Sequence, residues 1–216
     1  TLEAVLQMHV IAANAMSSDL SDGMKIETLG GKKVQIRISG SGVYVNNAKV
    51  TVTDIKADNG VVHVIDAVLV PAPDVQVKET AEYGDILVDT YGNTLYFFTR
   101  DADGSSMCVG GCLDNWPVFY AENPELSAGL DADEFGVIER SDGAMQTTYK
   151  GWPLYNFAKD TLPGEIKGDG VIGKWFVAKP DYTIMLVDDQ LVGNDGRNYT
   201  GDYTLGQEIV QFFTDA

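Results

Sequence analysis

The sequence predicts a mainly β protein, with one short helix near its start and strands joined by tight turns through most of the rest. Apolar and polar residues alternate in stretches such as "KKVQIRIS" at 32–39, the pattern of a half-buried strand. Turn sequences, such as Asn-Gly at 59–60 and Ser-Asp-Gly at 141–143, separate these stretches. A Leu-Tyr-x-Phe-x-x-Asp motif occurs twice, which indicates an internal repeat.

The first part of the chain predicts a helix and then a sheet. Apolar residues three and four apart within residues 1–16 predict a short amphipathic helix that leads into a strand. Alternation follows, and we expect Val34, Ile36 and Ile38 on one buried face. The run "VVHVIDAVLV" at 61–70 is almost continuously apolar, which predicts a central strand.

Two prolines, Pro71 and Pro73, end this run, and we place a domain boundary there. Beyond them, turn sequences at 91–93 and 141–143 predict two hairpins. The predicted segments are an N-terminal module (1–73), a linker (74–81), a repeat module with two repeats (82–180) and the start of a further repeat (181–216).

Composition limits the partners of the chain. Asp and Glu number 32 against 15 Lys and Arg, which gives a formal net charge of -17 over 216 residues. Such a surface repels nucleic acid, so we expect no nucleic-acid partner. No stretch of the sequence is apolar for long enough to cross a membrane.

The repeated motif is interpreted as structural. In each copy the Tyr and the Phe share one strand face and the Asp falls in the following turn. Aromatic residues of this kind anchor β cores more often than they form ligand platforms. The predicted core anchors and motif residues are Tyr96, Phe98, Asp101, Tyr155, Phe157, Asp160, Trp116, Trp152 and Trp175.

Cys108 and Cys112 form a C-x-x-x-C pair in a Gly- and Ser-rich loop. Haem attachment needs C-x-x-C-H, a thioredoxin-like site needs C-x-x-C, and structural zinc needs about four ligands. We therefore interpret the pair as a local disulfide, with a metal site or a redox site as the alternatives.

Metal binding and catalysis have weaker signals. Asp101 and Asp103 begin "DADGSS", which resembles the start of a calcium loop but lacks the bidentate glutamate of an EF-hand. Calcium at these two aspartates is a hypothesis, the alternative being that they cap turns; no other cofactor is expected. We find none of the common nucleophile, zinc-protease, phosphate or dinucleotide motifs, so we predict that the chain is not an enzyme.

Residues 1–71 resemble the C-terminal half of a fasciclin domain. The resemblance is carried by "MHV" at 8–10, "MSSDLSDG" at 16–23 and "VYVNNAKVTVTDIKADNGVVHVIDAVLVP" at 43–71. This family's adhesion motif has Tyr-His where the chain has Met-His. The residues that match the fasciclin pattern are His9, Asn46, Asp54, His63 and Asp66. A complete fasciclin domain has another half upstream, so we expect residues 1–71 to be ordered by contact with the repeat module or with another chain.

Residues 82–215 resemble a bacterial family of secreted, lipoprotein-type repeats with a Tyr-x-aromatic-x-x-Asp motif. The two resemblances imply an exported protein of the extracellular space, cell surface or periplasm. Together with the absence of catalytic motifs, they favour a non-enzymatic adhesion or scaffold protein whose partners are other surface proteins, polysaccharide or other copies of itself. The alternative is a periplasmic metal-binding or electron-transfer accessory protein.

Overall fold

The computed structural model of the protein describes residues 1–101, 104–181, 184–187 and 190–193. It is mainly β, as predicted, with several antiparallel sheets and one α-helix, α1 (Leu2–Met8), within the described residues. The strands of the N-terminal module are β1 (Lys25–Glu27), β2 (Lys33–Ser39), β3 (Gly42–Val45), β4 (Ala48–Ala57) and β5 (Gly60–Ile65).

Helix α1 begins with an N-cap. The hydroxyl of Thr1 accepts the backbone N–H of Ala4 at 3.3 Å, which satisfies one of the free donors of the first turn. Met8 at the other end is buried and contacts the core of the sheet. The partners in this small core are Val34, Ala48 and Leu69. The predicted helix is confirmed, but no strand follows it directly, because the next strand begins at Lys25.

The N-terminal sheet is antiparallel with the order β1-β2-β3-β4-β5. The prediction of a central strand in 61–70 is therefore wrong: β5 lies at the edge of the sheet, and Val62 and Val64 on it are 51% and 40% exposed. The strand ends at Ile65, since the next residue, Asp66, turns the chain away. Its backbone N–H donates to the carbonyl of Lys49, and its side chain accepts the N–H of Lys49 at 2.7 Å.

Strand β2 departs from the expected alternation. Val34 and Ile36 are buried as predicted, but Ile38 is 43% exposed and Arg37 only 4%. The prediction fails at Ile38 because this residue lies beside the turn to β3, beyond the core that buries Val34. It fails at Arg37 because β2 is covered on its second face as well. There the Arg37 guanidinium contacts Asn93 of the repeat module.

The repeat module is built from short paired strands. They are β6 (Val75–Thr80), β7 (Gly84–Asp89), β8 (Tyr96–Phe98), β9 (Phe135–Glu139), β10 (Met145–Tyr149), β11 (Trp152–Pro153) and β12 (Trp175–Val177). β6 pairs with β7, β8 with β12, and β10 lies between β9 and β11.

Both predicted hairpin turns are present. At 91–93 the N–H of Asp89 donates to the carbonyl of Asn93 at 2.8 Å, and Gly92 has a φ of 80°, which favours glycine. At 141–143 the N–H of Arg140 donates to the carbonyl of Ala144 at 2.8 Å. The first turn leads into β8, which carries Tyr96 and Phe98, and the second joins β9 to β10.

The segment predicted as a linker, 74–81, contains strand β6, which pairs with β7 over its whole length. Val75 is buried and Val77 is partly buried in a core cluster of the repeat module, so residues 75–80 form a strand within the predicted linker. The proposed segment boundaries stay a prediction. In the last segment, β13 (Ile184–Val187) and β14 (Gln190–Gly193) form a pair, and the predicted further repeat otherwise lies outside the described residues.

Candidate functional site

The two motif tyrosines meet at the centre of the repeat module. Tyr96 lies on β8, and Tyr155 follows β11. The N–H of Tyr96 donates to the carbonyl of Tyr155 at 2.8 Å, and the N–H of Tyr155 donates to the carbonyl of Tyr96 at 3.1 Å. This two-way bridge holds the equivalent positions of the two repeats side by side.

The tyrosine of each repeat forms a hydrogen bond with the aspartate of the other repeat, and we call these two bonds the exchanged pairs. The Tyr96 hydroxyl donates to Oδ2 of Asp160 at 2.6 Å, and the Tyr155 hydroxyl donates to Oδ2 of Asp101 at 2.6 Å. Asp101 is 0% and Asp160 is 8% exposed. Each repeat therefore supplies the acceptor that the other repeat's buried hydroxyl needs.

The second oxygen of each carboxylate fixes a loop. Oδ1 of Asp101 accepts the backbone N–H of Met107 at 2.8 Å, and Oδ1 of Asp160 accepts that of Lys167 at 2.9 Å. The sequence placed both aspartates in turns, and the structure shows what they hold there. A hydrogen bond to a buried carboxylate is stronger than one between neutral groups.

The electrostatics of these groups follow from their burial. Burial raises the pKa of Tyr96, and the hydrogen-bonded Asp160 carboxylate raises it further. Burial, followed by the charge of Asp101, likewise raises the pKa of Tyr155. Burial also raises the pKa of Asp160, against the hydrogen bonds it accepts. Both tyrosines are therefore protonated donors at neutral pH.

A stack of aromatic rings packs beside the exchanged pairs. The Trp116 and Trp175 rings are parallel, with centroids 3.7 Å apart. Phe157 stacks on the outer face of Trp116 at 4.2 Å, and Phe98 stacks on the outer face of Trp175 at 4.2 Å. All four side chains are at least nine-tenths buried, so they form core and not an open ligand platform.

Trp152 does not join this stack. It is buried in a second core cluster, where its ring lies 5.9 Å from that of Phe97. An odd separation of three residues from Tyr155 places the two side chains on opposite faces of an extended segment. Trp152 is therefore a core anchor of the second cluster and not of the stack.

Cys108 and Cys112 are joined by a disulfide, with their Cα atoms 5.4 Å apart. Cys108 is 1% exposed and belongs to the same core cluster as the aromatic stack. The structure thus confirms the disulfide, and in this state the pair offers no thiolate to a metal.

A buried arginine holds the disulfide loop in place, and the sequence reasoning missed it. Nη1 of Arg140 donates to Ser106 and to Oε1 of Gln146 at 2.7 Å, and Nη2 donates to the carbonyl of Cys108 at 2.7 Å. Arg140 also pairs with Asp142 at 3.2 Å. The sequence feature that could have indicated this role is an arginine at the end of a predicted strand, beside an Asp-Gly turn.

The two histidines of the N-terminal module are structural links. The N–H of Leu69 donates to Nε2 of His9 at 3.0 Å, so Nδ1 carries the proton and donates to the carbonyl of Val5 at 2.7 Å. His63 has the other tautomer. Its Nδ1 accepts the N–H of Asp54 at 3.4 Å, and its Nε2 donates to the carbonyl of Ala15 at 2.8 Å.

The remaining predicted residues of this module also bind the backbone. Asp54 accepts the N–H of Ser17 at 2.8 Å and its hydroxyl. Asn46 accepts the N–H of Gln35 at 2.8 Å, and Asp66 binds β4 as described above. His63 and Asp54 are brought together, whereas His9, Asn46 and Asp66 lie at separate places. The five residues therefore tie loops to strands and do not converge on one centre.

The predicted calcium site is only partly within the described residues. Both oxygens of Asp101 accept hydrogen bonds, from Met107 and Tyr155, while Asp103 lies outside the described residues. Calcium binding by these two aspartates stays a prediction.

The N-terminal module contacts the repeat module through polar groups. Lys32 pairs with Glu125 at 2.9 Å. Arg37 donates to the side-chain carbonyl of Asn93, and the Lys25 ammonium lies 4.8 Å from the centroid of the Tyr91 ring. These contacts agree with the expectation that residues 1–71 pack on the repeat module.

Both modules are similar to known families. Residues 1–71 match the model of the fasciclin domain. Residues 79–120 and 136–179 match the model of a secreted repeat of unknown function. The fasciclin-like module and the secreted repeat together indicate an exported protein, and no helix among the described residues has the length and hydropathy of a membrane span.

Relatives match about a third of the chain. Human periostin is 38% identical over 80 residues, which are 37% of this chain and 10% of periostin. An uncharacterized protein of Synechocystis is 37% identical over 68 residues, 32% of this chain and 50% of that protein. A fasciclin-like arabinogalactan protein of Cercospora beticola is 36% identical over 75 residues, 34% of this chain and 20% of that protein. The chain thus spans half or less of the length of these relatives.

Proposed function

We propose that the chain is a non-enzymatic adhesion or scaffold unit of an exported protein. Its partners are other surface proteins, polysaccharide or other copies of itself. The match to the fasciclin domain supports an extracellular, adhesion-type role, and the match to a secreted repeat supports export. The internal use of the motif side chains supports a structural reading of the repeats, because Tyr96, Tyr155, Asp101 and Asp160 are bonded to one another inside the core.

One surface feature carries the proposal. Four apolar side chains on β4 and β5 are between 40% and 51% exposed: Val52, Ile55, Val62 and Val64. Val52 is the cross-strand partner of Val64, and Ile55 is that of Val62. Cross-strand partners share a sheet face, so these residues form an apolar ladder at a sheet edge. Apolar patches of this kind mark interaction surfaces.

The alternative function, metal binding or electron transfer in the periplasm, drew on the cysteine pair. Since both sulfurs are in a disulfide, they offer no thiolate ligand in this state. We therefore favour the adhesion proposal.

Adhesion is tested with beads that carry the purified chain. We expect retention on surfaces coated with envelope protein or polysaccharide, or aggregation of the beads themselves. Changing Val62 and Val64 together to Lys should reduce it, because lysine blocks an edge strand. The matched control changes Val68 and Val70 to Lys, two valines that are 64% and 61% exposed outside the sheet. Equal retention of both double variants, or none by the wild type, contradicts the proposal.

A further inference from the structure

A polar cleft lies between the N-terminal module and the repeat module. Its volume is about 260 Å³, enough for one small organic group. Asp22, Lys25 and Arg37 line it from the first module, and Asn156 and Thr161 line it from the second. Neither module alone forms the cleft.

Two hydrogen-bond donors at this cleft have no acceptor. Nε of Arg37 and Nδ2 of Asn156 are both buried, and neither has a hydrogen-bond partner within the described residues. Arg37 is 4% exposed, and its Nη2 donates to the side-chain oxygens of Asn93 and Gln35. Buried donors are nearly always satisfied in folded proteins. Two exceptions at one cleft call for an acceptor that the chain does not supply.

The charges of the cleft indicate a neutral ligand. Within the described residues Arg37 has no carboxylate at ion-pair distance, yet Asp22, Asp89 and Asp160 all line the same cleft. An anion would meet these carboxylates and a chain with a net charge of -17, whereas a cation would meet Arg37 and Lys25. A neutral group avoids both penalties.

The mixture of donors and acceptors indicates hydroxyl groups. A hydroxyl accepts from donors such as Asn156 and at the same time donates to a carboxylate such as Asp22. Pro117 and Phe157 add apolar surface to the wall of the cleft, which suits the C–H face of a ring. A sugar residue combines these properties.

We propose that the cleft binds one neutral sugar residue, with Asn156 and Arg37 donating to its oxygens after a small shift of the two side chains. This inference rests on the proposed function and names polysaccharide as the partner of this face. It is independent of the apolar ladder on β4 and β5, which lies on another part of the molecule.

The direct test is an NMR titration of the whole chain. The probes are glucose, galactose, mannose and N-acetylglucosamine, each up to about 50 mM, a range that detects weak binding, with glucuronic acid as the charged comparison. We expect at least one neutral sugar to give saturable shifts at the amides of Gly23, Asn93, Asn156 and Thr161. No saturable shift at these amides, or tighter binding of glucuronic acid, overturns the proposal.

A variant separates recognition from adventitious contact. Asn156→Asp replaces the amide donor with an acceptor of the same shape, and it should weaken sugar binding about tenfold, the effect of one lost hydrogen bond. Asn123→Asp makes the same change at an exposed residue and should leave binding unchanged. If Asn156→Asp does not fold, Thr161→Val is used instead, with a loss expected in the same direction. Unchanged binding in the folded variant refutes the site. Adhesion of the beads that persists in that variant leaves the proposed function standing.

Discussion

Replacing Tyr155 with Phe removes one hydroxyl from the exchanged pair and leaves the ring in place. The hydroxyl donates to Oδ2 of Asp101 and also contacts Oγ of Ser106, each at 2.6 Å. The change therefore removes one charge-assisted hydrogen bond from a site where Asp101 is 0% exposed. Water cannot take the place of the hydroxyl without opening the core.

The expected cost follows from that burial. A hydrogen bond to a charged group contributes about 1.5 to 3 kcal/mol. We expect Tyr155→Phe to lower the free energy of unfolding by about 2 to 3 kcal/mol, since the apolar ring of Phe recovers only part of the loss. This corresponds to a fall in Tm of about 5 to 10 °C for a chain of this size.

The assay is urea unfolding at neutral pH followed by tryptophan fluorescence, because Trp116 and Trp175 pack beside the pair. Tyr120→Phe is the control at a residue that is 46% exposed, and it should change stability by less than about 0.5 kcal/mol. Tyr96→Phe should match Tyr155→Phe, since its hydroxyl binds Asp160 in the same way. A loss below about 0.5 kcal/mol in both buried variants would falsify the reasoning, because it would mean that the exchanged bonds add nothing to stability.

Three further changes test the same module. Trp175→Ala should cost about 3 to 5 kcal/mol, because it opens a cavity in the aromatic stack, while Tyr120→Ala should cost less than about 1 kcal/mol; calorimetry of both variants measures the difference. Changing Cys108 and Cys112 together to Ala should cost about 2 kcal/mol, the effect of a disulfide that closes a very short loop, measured by urea unfolding. Burial raises the pKa of Asp160, so its contribution to stability is largest below the unfolded pKa and is lost as pH rises through the folded pKa. As the pH is lowered from about 7 to about 4, the free energy of unfolding of the wild type should therefore rise relative to that of Asp160→Asn. Urea unfolding at each pH measures this difference.

Opposite results are informative in each case. A small loss for Trp175→Ala together with a binding defect would identify the stack as a ligand platform. Non-reducing mass spectrometry that finds two free thiols in the wild type would contradict the disulfide. Parallel pH profiles of the wild type and Asp160→Asn would mean that the folded and unfolded chains bind this proton alike.

The sequence predicted the fold class and the repeat anchors, because local patterns encode both. Alternation and turn residues identify strands and hairpins wherever one face of a strand is buried. The same logic failed at Arg37, where a second module covers the outer face of β2, and at Ile38, which lies beside the turn to β3 and beyond the core. It failed at β5 as well, since a continuous apolar run does not reveal whether a strand has neighbours on both sides.

The partners of the motif side chains could not be predicted from spacing. Tyr96 and Asp101 are five residues apart, so a contact within one repeat is the obvious guess, and the structure shows each bonded to the other copy. Long-range pairing of this kind depends on how two distant segments pack against each other. Local sequence patterns do not predict that packing. Arg140 was missed for the same reason, because its partners include Ser106 and Cys108, more than thirty residues upstream.

The exchange of tyrosine and aspartate between the repeats has a consequence for how such chains evolve. A single copy would bury one hydroxyl and one carboxylate, each without its partner, so it is a poor folding unit. Gain or loss of one copy by recombination would leave an unmatched half, whereas gain or loss of two together would preserve every bond. The smallest unit that can be gained or lost without leaving such a half is therefore a pair of repeats. Chains built from these repeats should contain even numbers of copies.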